Sequence, residues 1–536
     1  MTEKKTDARV TFVKEDYARR AAARMNLERS WLLDINFYVG NQYAEILPTG
    51  GVSETAKRYY WQENRVFNHI APIIESRLAK FNSIKAEAAV RPASDEADDV
   101  SAAKFSTRLL KSVREENNMS ELMREAAFWA ELTGTAFYKI YWDKNKGRII
   151  SEEQNLSEGD VGIEVCPPYE IYPDDLACGS VEKCRSIIRA KAYPVESVEE
   201  AWNVKIGDAG KTGVMKYGAL SGGGVCGSEE DGYCLVLERY SLPAPGYPDG
   251  RLLIVCGDKV LYDGALPYEN GVGGKRGYPF VRQVAFPRPG AFFGTSLIER
   301  MIPVQRAYNE IKNRKHEFFK RMTAGVLVAE DGSVDADNLD EEGIGPGKVI
   351  LYRQGCSEPK MLNFGSVPSE FGEEEDRLLK EFVSVSGVSD YLLNGTFGGT
   401  TLSGTALNLI LEQDGSRLCV TSESIRDASK EVSGQILRLY KQFAVFSRLK
   451  RIANDGGKTE LTSFRGSDIS ADDVVFEVEN ETAENAATRL ETISGLYKLG
   501  LFCGADGNVS AEAKKKLLET LGFGNLGTAQ SGEEKN

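Results

Sequence analysis

Two histidines in 536 residues, His69 and His316, leave little imidazole for acid–base or metal chemistry. Nine cysteines stand at 166, 178, 184, 226, 234, 256, 356, 419 and 503, and no two of them form Cys-x-x-Cys. An odd count at irregular spacing argues against a disulfide framework and against a zinc motif, and for reduced, structural thiols. There is no Gly-x-Ser-x-Gly, so a nucleophile elbow is absent. Gly210-Lys211-Thr212 and Gly457-Lys458-Thr459 end like a phosphate loop, but Lys205 and Ile452 occupy the place of its first glycine. No run of about 18 apolar residues offers a membrane span. Met1–Arg9 lacks a secretory apolar core, so the chain is expected to stay in the cytosol where it is made. Positive charge is also short: 66 Lys and Arg against 80 Asp and Glu give −14. Tight, sequence-independent grip on DNA needs clustered cations that release counterions. The net acidity argues against such a grip. The carboxylate clusters Asp95-Glu96, Glu373–Asp376 and Asp472-Asp473 fit helix starts and solvated surfaces. A two-metal nuclease would need such groups to converge in a cleft.

What remains is an ordinary folding composition. Hydrophobic residues make up 41% and charged ones 27%, which supports packed cores rather than disorder. The length exceeds one core and fits roughly three or four units. No internal repeat is visible.

From the start, 12–39 reads as a helix anchored by Trp31, Leu32, Ile35 and Tyr38 and stopped at Gly40. A second helix is predicted over 64–80, and amphipathic ones over 94–116 and 120–132, the latter ending near Gly134. A hairpin is expected between 137–142 and 148–151 across Asp143–Gly147. Strands follow near 184–193, 233–240, 252–256, 260–262 and 280–286. The Gly-rich stretch 205–231 reads as a flexible loop.

The organising stretch is 293–411. Leu297, Met301, Val304, Tyr308 and Ile311 recur at spacings of four and three, and Phe318 and Met322 resume the phase. Pro303 within this run predicts a kink or a late start. Between Glu299 and Arg321 seven Lys or Arg face three Glu, a local excess in an acidic chain. Taken alone it reads as a solvated face with i,i+4 pairs. Short β runs at 324–329, 348–352 and 360–364 alternate with turn chemistry. Pro368-Ser369 then opens an acidic-start helix with Phe371, Leu378, Phe382 and Val385 as its stripe, fading at Gly387. The Gly/Thr stretch 394–402 leads into a helix from Ser403 to about Arg448, on the order of 70 Å long at ~1.5 Å per residue. Gly415 and Gly434 predict bends in it.

The order of these elements resembles the portal proteins of tailed double-stranded DNA bacteriophages, most closely the short-tailed, podovirus-type branch. Gly294-x-Ser296-Leu297 with Gln305 and Asn309 one turn apart beyond it resembles the opening of that family's first stem helix. Asp34-x-x-Phe37-Tyr38-x-Gly40-Asn41-Gln42-Tyr43 resembles its opening motif, with Tyr43 where Trp is usual. Asn64-Arg65-Val66-Phe67-Asn68 resembles its Asn/Arg-rich second helix start. Residues 163–175 resemble its strand before a Pro-Asp turn. Ser403-Gly404-Thr405-Ala406 resembles the head of the long wing helix, weak alone but in its place in the order.

The resemblance implies an α+β, mainly helical portal fold with wing, stem, clip and crown regions. The divisions are 1–290 for N-terminal helices and wing, 291–322 first stem helix, 323–367 clip and 368–393 second stem helix. They continue with 394–402 tunnel loop, 403–480 long wing helix and following strand, 481–522 a short helical crown and 523–536 a tail. It implies a homo-oligomeric ring, a dodecamer, at one capsid vertex of the virion, assembled in the host cytoplasm. Its partners would be the terminase large subunit, major capsid and scaffolding proteins, a tail adaptor and, without sequence specificity, double-stranded DNA in transit. No enzyme activity, cofactor, metal or membrane is expected. Lys312, Lys315, Arg321, Gly395, Thr396, Gly398, Gly399, Thr400 and Thr401 would lie near the channel. Asp331, Asp335, Asp337, Glu341 and Glu342 would contact terminase or adaptor. The competing readings are another head or scaffolding component and, behind it, a packaging ATPase or nuclease. Rings in the microscope would favour a portal, and ATP hydrolysis by the protein alone would favour the motor.

Overall fold

The computed structural model describes residues 7–47, 52–55, 59, 62–82, 88–151, 156–206, 232–269, 271, 274–324, 326–334, 349–362, 368–388, 404–453, 459–469 and 473–476. Chain contacts divide it into a large unit, Met1–Val474, and a small one, Val475–Asn536. Of the small unit only residues 475–476 are described, at the end of the strand Val474–Phe476. The tunnel loop, the crown, the tail and residues 207–231 of the loop expected over 205–231 lie outside the described residues.

Helix α1 (Ala8–Val39) begins where the Asp7 carboxylate accepts from the Arg9 N–H, and ends at Gly40 with φ 98°. Its two ends serve different cores. Val10 and Val13 pack on Tyr172, Ile188, Leu237 and Leu253 of a sheet. Leu32, Ile35 and Phe37 pack with Ile70, Ile73, Leu297 and Met301. Between them Arg20 and Arg24 are buried yet satisfied: Arg20 donates to the Tyr172 and Ser186 carbonyls, and Arg24 to those of Pro168 and Ile171.

Two antiparallel sheets build the wing. The larger runs in the order Lys259–Gly264, Arg251–Cys256, Tyr233–Ser241, Ser186–Pro194, Ile171–Pro173. The smaller places Thr135–Asp143 between Phe280–Val284 and Asp160–Cys166. The hairpin expected from 137–142 to 148–151 does not form. The first strand pairs instead with Asp160–Cys166, Asp143 opposite Asp160, because Val161, Ile163 and Val165 supply the apolar alternation that Arg148–Ser151 lacks. Ile149–Ser151 makes its own small ribbon with Leu156–Ser157. Helices α3 (Ala97–Glu116) and α4 (Met119–Thr133) cover the smaller sheet through Leu109, Leu110, Val113, Ala126 and Ala130. A short α5 (Val195–Trp202) caps the larger sheet.

Helix α2 (Ile70–Asn82) starts six residues later than expected, for a reason given below. Helix α6 runs Leu297–Ala324 straight through Pro303, so the start is not late. Helix α7 (Glu370–Ser386) ends on Gly387 with φ 69°. Tyr308 meets Phe382 and Phe318 meets Phe371, at ring separations of 6.1 and 6.4 Å, so α6 and α7 lie antiparallel. Between them in sequence, Val326–Val328 pairs with Lys360–Leu362. In the middle run the described residues, 349–352, form no strand: among them only Tyr352 bridges, to Val334, while Val349 and Leu351 stand about four-fifths exposed at 78% and 82%.

Helix α8 spans Gly404–Phe443 without a break at Gly415 or Gly434. It ends five residues short of Arg448. There Gly466 donates to the Ala444 carbonyl at 2.7 Å, and a tight turn, Gly466–Asp468, closes over the helix end. The chain returns as a hairpin, Arg448–Ala453 with Thr459–Phe464. Among the described residues no helix is long and apolar enough to cross a membrane.

Candidate functional site

Three of the stretches that carry the portal resemblance are far apart in sequence and meet along α6. Gln305, Asn309, Asn313 and Glu317 recur every four residues and share one face of it. Each accepts a backbone N–H from the stretch 63–69, and from every second residue of it. His69 donates to Gln305 at 3.1 Å, Phe67 to Asn309 at 3.0 Å, Arg65 to Asn313 at 3.1 Å and Glu63 to Glu317 at 2.9 Å. The amide donors return the bond: Gln305 Nε2 to the Phe67 carbonyl at 2.8 Å and Asn313 Nδ2 to that of Arg65 at 2.9 Å.

The periods explain why this works. Four helical residues rise ~6 Å, and two extended residues span about 6.6 Å, so side-chain reach absorbs the small drift per rung. It also explains why α2 begins at Ile70. The N–H groups of Glu63, Arg65, Phe67 and His69 are already bound to α6 side chains, and the Asn68 carboxamide then caps the helix by accepting from Ile70 and Ala71.

The opening motif joins the same seam. Asn309 Nδ2 donates to Gln42 at 2.6 Å, Asn313 Nδ2 to the Tyr43 hydroxyl at 2.8 Å, and Asn68 to the Tyr38 carbonyl at 2.9 Å. Ser296 donates to Asp34 at 2.9 Å, while its oxygen accepts the Glu299 N–H and caps α6. Burial raises the Asp34 carboxyl well above the usual carboxylate range, with Ser296 opposing and Glu299 reinforcing the rise. Asp34 Oδ1 is buried without a hydrogen-bond partner. Burial likewise raises the Tyr43 phenol. Gly294 belongs here through space: a Cβ on it would sit 2.6 Å from the Gly134 carbonyl oxygen, and one on Gly134 2.5 Å from that of Gly294. A cavity of about 730 Å³ opens beside the seam, lined by Gln42, Tyr43, Asn309, Glu310, Asn313 and Arg314 among others.

The basic residues of α6 are spread around the helix rather than gathered on one face. Lys312 and Lys315 both pair with Glu375 of α7, Lys315 at 3.0 Å. Burial alone would raise Glu375, but the two ammonium groups outweigh it and lower the carboxyl. Burial would likewise lower Lys312, and Glu375 overcomes it. Beside them His69 lies between Tyr308 and Phe382, and burial, then Lys312, lowers its imidazole. Arg314 pairs with Glu310 and Lys320 with Glu63. Arg300 and Arg306 lie over the Phe286 and Phe37 rings. Within a single chain, then, the local excess of cations is largely answered by carboxylates and rings.

Arg321 occupies the last turns of α6. Asp331 is exposed in a turn after the first strand of the β pair, Val326–Val328. Gly395, Thr396, Gly398, Gly399, Thr400 and Thr401 lie outside the described residues, as do Asp335, Asp337, Glu341 and Glu342. Sequence reasoning named Gln305 and Asn309 but missed Asn313, Glu317 and Glu375. The signal was present: three amide-bearing residues and a Glu at strict spacing of four are an unusual stripe for a helix, and they ask for a partner with main-chain groups to offer.

No curated protein matches this chain. A family model does, over residues 250–492, which takes in α6, the β pair, α7 and α8. Its description is "Phage P22-like portal protein". The α6 side of the seam, with Gly294-x-Ser296-Leu297, Gln305 and Asn309, thus lies within a stretch that is similar to the phage P22-like portal protein family, and the two N-terminal motifs that it ties lie before that stretch.

Proposed function

We propose that this protein forms a ring, a dodecamer, at one vertex of a phage capsid, and that the genome passes through its centre. The antiparallel α6–α7 pair is the upright stem, and the short β pair at its end is the clip. The observation that carries this reading is the joint position of the family match and that helix–β–helix unit. The surface of the β unit supports it. Val328, Val349, Leu351, Tyr352 and Met361 are all about half exposed or more, and such a cluster asks for cover. A neighbouring copy supplies that cover in a ring, where one patch repeats with the symmetry.

In this reading the clip docks the terminase large subunit during packaging and the tail adaptor afterwards, with Asp331 and the acidic residues to Glu342 as contacts. The wing meets the major capsid and scaffolding proteins. The Gly/Thr loop 394–402 reaches toward double-stranded DNA without reading its sequence. The part is structural and not enzymatic, and it is assembled in the host cytoplasm before it becomes part of the virion. Negative-stain microscopy of the purified protein tests the ring: particles with a central hole support it. Solitary globules, or ATP hydrolysis by the protein alone, overturn it. Replacing Gly398 and Gly399 with Val tests the loop. Rings should still assemble while packaging or genome retention fails, and normally filled heads would remove the loop's role.

A further inference from the structure

Outside the stem, three metal-binding side chains gather at one corner of the wing. Asp174, Cys178 and Cys184 place a carboxylate oxygen and two sulfurs all within 4.8 Å of one another. The segment that holds them is fastened from several sides. Phe292 donates to the Leu176 carbonyl at 2.8 Å, Arg282 to the Gly179 carbonyl at 2.5 Å, and Tyr278 to the Cys184 carbonyl at 2.9 Å. Asp174 itself bonds through its N–H to the Ser186 carbonyl at 3.1 Å. The corner is therefore built, not a chance meeting of mobile side chains.

Asp174 shows what is missing. Its Oδ2 accepts from the Arg185 N–H at 3.2 Å, but its Oδ1 is buried and has no hydrogen-bond partner. A buried carboxylate oxygen left so is costly, and its neighbours are two sulfurs rather than donors of strength. We propose that Asp174, Cys178 and Cys184 form a site for a thiophilic divalent cation of the zinc type, with water as the fourth ligand. Two sulfurs and one carboxylate select zinc, cobalt or cadmium over magnesium or calcium, which take oxygen shells. Zinc bonds of about 2.3 Å to sulfur and about 2.0–2.2 Å to oxygen put tetrahedral ligands some 3.5–3.8 Å apart, so the present spread needs only a small closure.

The spacing Asp-x3-Cys-x5-Cys is not a zinc motif in sequence. The tight turn Val181–Lys183 and the strand Ser186–Pro194 bring its members together.

The test uses the full-length protein, reduced and freed of metal, titrated with cobalt(II) alone. The expected result is one cobalt per chain, with a thiolate charge-transfer band and the intense visible bands of four-coordinate cobalt, both abolished by added zinc. Cys178 is half-buried, so Cys178→Ser is the first variant: the charge-transfer band should fall to about half or less. Asp174→Asn should weaken cobalt binding by more than about tenfold, since losing even an outer-shell partner of a ligand costs that much. Zinc should raise the melting temperature of the parent and not of Cys178→Ser, a readout that needs no spectrum. A parent without a charge-transfer band overturns the site, and so does a band unchanged in Cys178→Ser, which would place the cobalt on other cysteines. A Cys178–Cys184 disulfide formed in air, with no cobalt bound after reduction, would assign the pair to redox chemistry and overturn it equally.

Discussion

Arg77 and Glu131 form an ion pair that solvent does not reach. Nε and Nη2 of the arginine meet the two carboxylate oxygens at 3.0 and 2.9 Å, with the residues 2% and 0% exposed. The third guanidinium nitrogen donates to the Ser386 carbonyl at 3.0 Å, at the end of α7. One side chain of α2 thereby ties α4 to the stem. Removing the cation leaves a carboxylate buried alone, which costs about 3–5 kcal/mol. Arg77→Met should lower the denaturation midpoint accordingly, and Arg77→Met with Glu131→Leu should recover much of the loss. A single variant within about 1 kcal/mol of the parent would mean that water reaches the pair.

Asn309 is the central rung of the seam: it accepts from Phe67 and Gln305 and donates to Gln42. Asn309→Leu keeps the volume and removes all three bonds. The orphaned Phe67 N–H and Gln42 oxygen should cost about 2–6 kcal/mol together, each buried polar group left bare costing about 1–3. Hydrogen exchange would locate the effect: the Phe67 and His69 amides should lose protection before those of α6 do.

The seam also marks where the sequence could be read and where it could not. Apolar period-four and period-two patterns placed α6, α7 and four of the five strands of the larger sheet closely, because their buried faces are apolar, whereas the single strand expected over 163–175 divides into Asp160–Cys166 of the smaller sheet and Ile171–Pro173 of the larger. Where a buried face is polar the pattern fails. Residues 64–69 look like a helix start because their partner stripe is Gln305, Asn309 and Asn313, invisible until the chain folds. The hairpin at Arg448–Phe464 went unseen for the same reason. Its inward side chains include Arg448, over the Trp142 ring, and Lys450, 3.0 Å from Glu116 and 3.1 Å from Asp160. The pairing of Thr135–Asp143 skipped the nearer run because long-range burial, not turn proximity, chose the partner.

Gly294 and Gly134 meet backbone to backbone, and a Cβ on Gly294 would also collide with the Val284 side chain. Gly294→Ala should therefore destabilise by about 1–3 kcal/mol through overpacking, although alanine is harmless at most helix starts. A melting temperature equal to the parent's would show that the two loops separate freely.

Glu375 holds both Lys312 and Lys315, so it decides what those cations can do. Glu375→Gln should cost about 1–2 kcal/mol, between the values for exposed and buried pairs, and the cost should shrink as salt is raised. In an assembled ring the same change frees two cations per copy. If they face the lumen, charge reversal at Lys312 and Lys315 must alter DNA translocation and its salt dependence. Unaltered translocation would confine both lysines to the α6–α7 contact.

Asp34 gives the seam a pH dependence of its own. Its carboxyl is raised in the folded chain by burial, so the folded state holds a proton that the unfolded state releases near pH 4. Such a group contributes its full stability below that point, and the contribution is lost as pH climbs toward the raised value. The loss reflects either a buried proton held against the solution or a buried charge facing Glu299 with Oδ1 unpartnered. Asp34→Asn removes the titration but keeps an oxygen for the Ser296 hydroxyl. The variant should therefore gain on the parent steadily as pH rises from about 4 to 8, and match it most closely near pH 4. Paired denaturation curves across that range check the slope. Parallel curves would mean that the carboxyl titrates as it does in water, and that its missing partner is a solvent molecule.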